Sequence, residues 1–259
     1  MKIQSQKKSH FGFTRIELAV ALACVTLIST MGITVLGDNR ERSERVLCAN
    51  NLRQIGRAFH MWVSDHGGEN PWWTPYRDGG SLISNTDPGP PGNMFNVPGI
   101  GPMLATVRNN AWFQFAFINQ ELRTPGLLAC PSEQNKVRAE NFSSSTSSRG
   151  YLSVSFRDRA TSYFIGLHAM NQHPSSILSG DRTLREDNQN ATCNANVGSV
   201  FYLAGTSSSG WLPSLHIAGG NLLLNDGRVE ELSISGLAKF LKLPRLDDFQ
   251  SHHFIKPLP

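Results

Sequence analysis

Residues 1–40 read MKIQSQKKSHFGFTRIELAVALACVTLISTMGITVLGDNR, with three lysines (Lys2, Lys7, Lys8) ahead of an uncharged run from Leu18 to Leu36. As an α-helix those 19 residues reach about 28 Å, enough to cross the hydrocarbon core of a bilayer. A cleavable secretory signal has a shorter apolar segment, about 7–15 residues, and ends at small residues; Gly37-Asp38 offers no such site. Ala21-Leu22-Ala23-Cys24 has the look of a lipobox, but Glu17 interrupts the approach to it and the apolar run continues well past Cys24. Basic residues before the run predict a cytoplasmic N-terminus.

The pattern continues beyond Gly37 without a break. Cys48, Leu52, Ile55, Phe59 and Trp62 recur at intervals of 4, 3, 4 and 3, one face of an α-helix. Arg45, Asn50, Arg53 and Arg57 fall on the other side. Gly67-Gly68 and then Pro71 supply a stop. The sequence therefore predicts one helix from about Thr14 to Asp65, its first half in lipid and its second half laying an apolar stripe on a folded body.

That body reads as α+β. Asp78 to Pro102 is rich in Gly and Pro and reads as a surface loop; Asn110 to Leu122 predicts a short helix capped by Asn109 or Asn110. Ser143 to Ser148 is a serine run, and short strands are predicted near Tyr151–Phe156, Ser162–Leu167, Ser199–Leu203 and Asn221–Leu232. Near the C-terminus a short apolar run, an Asp226-Gly227 turn and a return strand form a hairpin. The turn fits either a two-residue type I′ loop or a three-residue loop with a bulge.

Composition removes several classes of function. Charged residues are 17% and hydrophobic residues 39% of 259, and the net charge is only +4. That excludes a highly charged disordered chain, and the basic residues are too scattered for a nucleic-acid surface. Four cysteines do not make a disulfide scaffold. No Gly-x-Ser-x-Gly, phosphate-binding glycine loop, Cys-x-x-Cys or EF-hand spacing is present, so no catalysis is expected. No cofactor is expected either, with calcium the one ion left open by the scattered Asp181, Asp187, Asp226, Asp247 and Asp248.

Three stretches together carry a resemblance. Lys7-Lys8-Ser9-His10-Phe11-Gly12 followed by Phe13-Thr14-Arg15-Ile16-Glu17 resembles the processing site of type IV prepilins and type II secretion pseudopilins. His216 and Asp226-Gly227, with nine residues between them, resemble the His-x9-Asp-Gly motif of a large subgroup of prepilin-like proteins. Cys48-Ala49-Asn50-Asn51-Leu52-Arg53-Gln54-Ile55-Gly56 and Cys130-Pro131-Ser132 resemble segments that accompany it. Arg15, at the third mature position, departs from the small, polar or apolar residue common there.

The resemblance implies cleavage between Gly12 and Phe13 by a prepilin peptidase and methylation of Phe13. It makes Glu17 the fifth mature residue, paired with the N-terminal amine of a neighbouring subunit, and it suggests a Cys48–Cys130 disulfide. The implied fold is pilin-like α+β: a cleaved leader (1–12), a transmembrane helical half (13–37), an extracytoplasmic helical half (38–66) and a globular antiparallel-sheet domain (67–259). The implied protein is a single-pass, bacterial inner-membrane subunit with a periplasmic globular domain. Its partners would be the peptidase, other pilin-like subunits and the inner-membrane platform of a type II secretion system or type IV pilus. A second reading, a membrane-anchored binding module that uses the prepilin signal only for delivery, places its ligand surface around Trp72–Pro102. For His216 and Asp226 two roles stay open: a lock on the hairpin, or a metal or ligand site.

Overall fold

The computed structural model describes residues 14–83, 89–133, 135–185, 201–203, 210–212, 215–216, 219–241 and 252–257. The chain divides into two compact units, Met1–Ser43 and Glu44–Pro259. Helix α1 (Arg15–Asp65) is 51 residues long. Within the first unit, its side chains Ile16, Leu18, Val20, Leu22, Val25 and Leu27 are all exposed.

The membrane-spanning first half expected for 13–37 is corrected: among the described residues no helix is long and apolar enough to cross a membrane. The apolar run whose side chains are described, Leu18 to Leu27, covers about 15 Å, half the thickness of a hydrocarbon core. The transmembrane fold class, the single-pass topology and the inner-membrane and periplasmic placement fall with it.

The second unit is α+β. From Cys48 onward α1 buries Cys48, Leu52, Ile55, Phe59 and Trp62, each 0% exposed, because the 4-3-4-3 spacing keeps them on one side of the helix. Glycines end it. Gly67 and Gly68 adopt φ of +85° and +98°, and the Gly68 N–H donates to the Val63 carbonyl at 2.9 Å, a left-handed termination that only glycine accepts readily.

Among the described residues the main sheet is antiparallel throughout and has six strands. In chain order they are β3 (Tyr163–Gly166), β4 (Ile177–Asp181), β6 (Phe201–Leu203), β8 (Gly219–Leu224), β9 (Val229–Ser233) and β10 (His252–Ile255); in space they run β6-β10-β3-β4-β8-β9. Alternation feeds both faces. Tyr163, Ile165, Leu178 and Leu223 join the α1 core, while Phe164, Ile177, Leu222 and Leu224 join a second core with Trp211 and with Leu237 and Leu241 of α3 (Ile234–Leu241). β4 and β8 lie between these apolar layers and are buried along their whole length, which explains why Leu222, Leu223 and Leu224 follow one another without alternation.

The α1 core is completed by α2 (Ala111–Phe117), all of whose residues are buried. Asn110 stands at its N-cap but makes no side-chain capping bond. Phe59 meets Trp72 edge-on with ring centroids 5.6 Å apart, and Trp62 stacks on His66 at 4.1 Å.

Two segments differ from the sequence expectation. The end of the 78–102 loop forms a hairpin, β1 (Met94–Val97) against β2 (Gly101–Leu104). Pro98-Gly99 is its turn: Gly99 has φ +71° and the Ile100 N–H donates to the Val97 carbonyl at 3.1 Å, so the apparent breakers are the centre of a tight reverse turn. The strand expected over Tyr151–Phe156 is instead a series of turns, with Ser153 N–H donating to the Gly150 carbonyl and Phe156 N–H to the Ser153 carbonyl. Serine hydroxyls there compete for the backbone, Ser153 Oγ accepting from Ser155 N–H at 3.4 Å. A two-stranded pair, β5 (Leu184–Arg185) with β7 (Gly210–Trp211), lies apart from the main sheet.

Candidate functional site

The β8–β9 hairpin sets one half of the site. Leu224 N–H donates to the Arg228 carbonyl at 2.8 Å and Gly227 N–H to the Leu224 carbonyl at 3.0 Å, with Gly227 at φ +86°. That pattern is the three-residue loop with a bulge, Asn225-Asp226-Gly227. Asp226 serves the turn directly: Oδ1 accepts from Arg228 N–H at 3.0 Å and Oδ2 from Arg228 Nε–H at 2.7 Å. The turn is docked on the end of α1, where His60 Nε2 lies 2.7 Å from the Asn225 carbonyl and Asn225 Nδ2 donates to the Met170 carbonyl at 2.8 Å. A cavity of about 360 Å³ opens beside it, lined by His60, Ser64, Asn70, Asn171, Asn225 and Asp226 among others.

His216 goes elsewhere. It is 1% exposed, with Nε2 3.5 Å from Asp181 Oδ2 and 3.8 Å from Cys130 Sγ. Cys130 and Cys48 are joined as a disulfide, Cα atoms 5.2 Å apart, which ties α1 to a segment 82 residues away. Asp181 closes β4 and is itself fully buried; its Oδ2 accepts from the Asn221 backbone N–H at 2.7 Å and from Asn221 Nδ2 at 3.1 Å. The two polar side chains of the motif thus do different work: Asp226 shapes an exposed turn, and His216 sits in a buried polar cluster against the disulfide.

Burial drives both members of that pair toward their uncharged forms. It pushes the Asp181 carboxyl up to about 7, against the pull of the Asn221 donors and the Arg45 charge, with Glu133 adding to the rise. It pushes the His216 imidazole down to about 4; Arg45 acts in the same direction and Glu44 against it. Because Asp181 is raised from 3.8, its contribution to stability is present below that pH and lost as pH climbs through about 7. Because His216 is lowered from 6.5, its contribution is present above that pH and lost as pH falls through about 4. Between those limits the two slopes oppose. Asp181→Asn leaves the imidazole alone to titrate, so stability is expected to climb more steeply with pH from about 4 to about 6.5 than in the parent. Urea midpoints across that range measure it, and overlapping profiles would contradict the assignment.

The remaining sequence candidates are scattered. Gly12 and Phe13 lie outside the described residues, as do Asp187, Asp247, Asp248 and Cys193. Glu17 is at the start of α1, where its Oε2 accepts from Thr14 N–H at 2.8 Å and Thr14 Oγ1–H at 2.9 Å while Glu17 N–H donates back to Thr14 Oγ1 at 3.3 Å. This is a reciprocal capping arrangement. Trp72 and Trp73, candidates for a ligand surface, point their indole N–H groups at the single Leu167 carbonyl, at 3.1 and 2.8 Å, and Trp72 is buried. Asn221, Arg45, His60 and Asn70 were not singled out by the sequence. Their partners lie far away along the chain, and no local spacing announces them.

No family model, no curated protein and no solved structure matches this chain.

Proposed function

We propose that the protein is a structural subunit of a pilin-like filament of the type II secretion or type IV pilus kind. In this reading a prepilin peptidase cuts the chain between Gly12 and Phe13, and the subunit assembles through its N-terminal helix. Its partners are other pilin-like subunits and the assembly platform of the filament.

The observation that carries the reading is the start of α1. Ile16, Leu18, Val20, Leu22, Val25 and Leu27 are between 57% and 77% exposed. A helix that is apolar on every side is normally buried, and contiguous exposed apolar surface marks an interaction site. The same segment begins with the Gly12-Phe13-Thr14-Arg15-Ile16-Glu17 motif, which supplies the occupant: the equivalent helices of neighbouring subunits. The binding-module alternative is weakened by the inward-facing Trp72, whose indole belongs to the core.

Intact mass of protein isolated from its native host tests the processing step. The expected result is loss of residues 1–12 and the addition of one methyl group. A mature chain that still starts at Met1 overturns the proposal.

A further inference from the structure

The buried cluster around His216 brings together potential metal ligands from three distant parts of the chain. Cys48 Sγ, Cys130 Sγ and a ring nitrogen of His216 all lie within 4.8 Å of one another. Asp181 Oδ2 is 3.5 Å from His216 Nε2, which is 3.8 Å from Cys130 Sγ. Two zinc ligands at about 2.0–2.3 Å from one ion stand about 3.3–3.8 Å apart along a tetrahedron's edge, and the 3.8 Å between His216 Nε2 and Cys130 Sγ already fits. The two sulfurs are closer than this because they are bonded. All four side chains are at least 98% buried, and among the described residues His216 Nδ1, Asp181 Oδ1 and Asn221 Oδ1 have no hydrogen-bond partner, an unusual concentration of unmet polar atoms for a protein interior.

We propose that opening the Cys48–Cys130 disulfide converts this cluster into a zinc site. Cys48 Sγ, Cys130 Sγ and a ring nitrogen of His216 are the protein ligands, with water in the fourth position, and Asp181, 3.5 Å from His216 Nε2, is the carboxylate beside the imidazole. A phosphine supplies two electrons and takes the oxygen of a water molecule, whose two protons go to the sulfurs, so that the S–S bond breaks to two thiols and a phosphine oxide forms; a pair of thiols does the same, giving up two electrons and two protons and joining as a disulfide. The incoming Zn²⁺ then displaces both thiol protons to water. Two thiolates balance the charge of the dication, so the buried ion adds no net charge to the core. Two sulfurs and an imidazole select zinc over calcium or magnesium, which prefer oxygen. The tie between α1 and the Cys130 segment would then exist in two exchangeable forms, one covalent and one metal-bound. The inference stands independently of the filament reading.

The test uses the full chain with Cys24 and Cys193 changed to serine, so that the thiols counted are Cys48 and Cys130. Samples are kept oxidised or reduced with a phosphine under anaerobic conditions, given Zn²⁺, and desalted for metal analysis. Co²⁺ is used in parallel, for its thiolate charge-transfer and tetrahedral absorption bands. The expected result is one zinc per reduced chain and none per oxidised chain, with His216→Gln lowering the affinity of the reduced chain at least tenfold while still forming the disulfide. Equal binding by oxidised chain, no binding by reduced chain, or unchanged affinity in His216→Gln each overturn the proposal. If the reduced chain unfolds, recovery of its far-UV circular dichroism on adding zinc supports the site, and failure to recover overturns it. If His216→Gln does not fold even when oxidised, Asp181→Asn replaces it: about tenfold weaker zinc binding supports the proposal, and parental affinity overturns it.

Discussion

Replacing both Cys48 and Cys130 with alanine is expected to lower the unfolding free energy by about 4–5 kcal/mol. The bridge spans 82 residues of sequence, and in the chain-entropy account the stabilisation grows with the logarithm of the loop it closes. A second contribution comes from packing, since both cysteines belong to the α1 core and a truncated side chain there leaves unfilled space. Residual structure in the unfolded chain works the other way, by reducing the entropy the bridge removes. The loop term is the largest of the three. Against a total stability of about 5–15 kcal/mol for an ordinary domain, such a loss shifts a guanidinium midpoint clearly. The double variant is the proper comparison because a single substitution leaves a buried thiol beside His216. A midpoint within experimental scatter of the parent, at equal slope, would show that the bridge decorates a body already held by its two apolar cores.

The parts of this fold that were legible in sequence are those whose information is local. The 4-3-4-3 spacing from Cys48 to Trp62 and the glycine pair after Asp65 define the buried stripe and the end of α1 because helix geometry repeats within a few residues. The Asp226-Gly227 turn was legible as a turn. Its loop length was not, because both alternatives place Gly227 where a left-handed residue is needed, and the choice is made by pairing of β8 with β9. Pro98-Gly99 misled for a related reason: the dipeptide says that the chain reverses, but a strand on either side depends on Phe95 and Val97 finding the core. Least legible was the His216 cluster. Asp181 was weighed as a calcium ligand beside other acids, yet its partners are Asn221 and His216, 40 and 35 positions away. The apolar run from Leu18 misled in the opposite direction, since counting residues against bilayer thickness gave a membrane span that the described part of the helix does not support.

Changing Glu17 to glutamine is expected to abolish filament assembly while leaving cleavage after Gly12 intact. The choice of glutamine matters, because Glu17 has two separable capacities. One is local: its carboxylate accepts two hydrogen bonds from Thr14, and a glutamine oxygen reproduces that capping role. The other is charge. On the proposed reading, cleavage after Gly12 would create an α-amine that is positive near neutral pH and that methylation would leave basic; packed among the apolar side chains of neighbouring helices, that amine would need a carboxylate beside it. Alanine removes both capacities and so cannot tell them apart, although it too is expected to be cut and to stay unassembled. Glutamine removes the charge alone. Helix content equal to the parent's, normal loss of residues 1–12 and no filaments in the glutamine variant would assign assembly to the amine pair. Filaments formed at the parental level by the glutamine variant would reduce Glu17 to a helix cap, and the register of the subunits would then have to come from the apolar side chains between Ile16 and Leu27 alone.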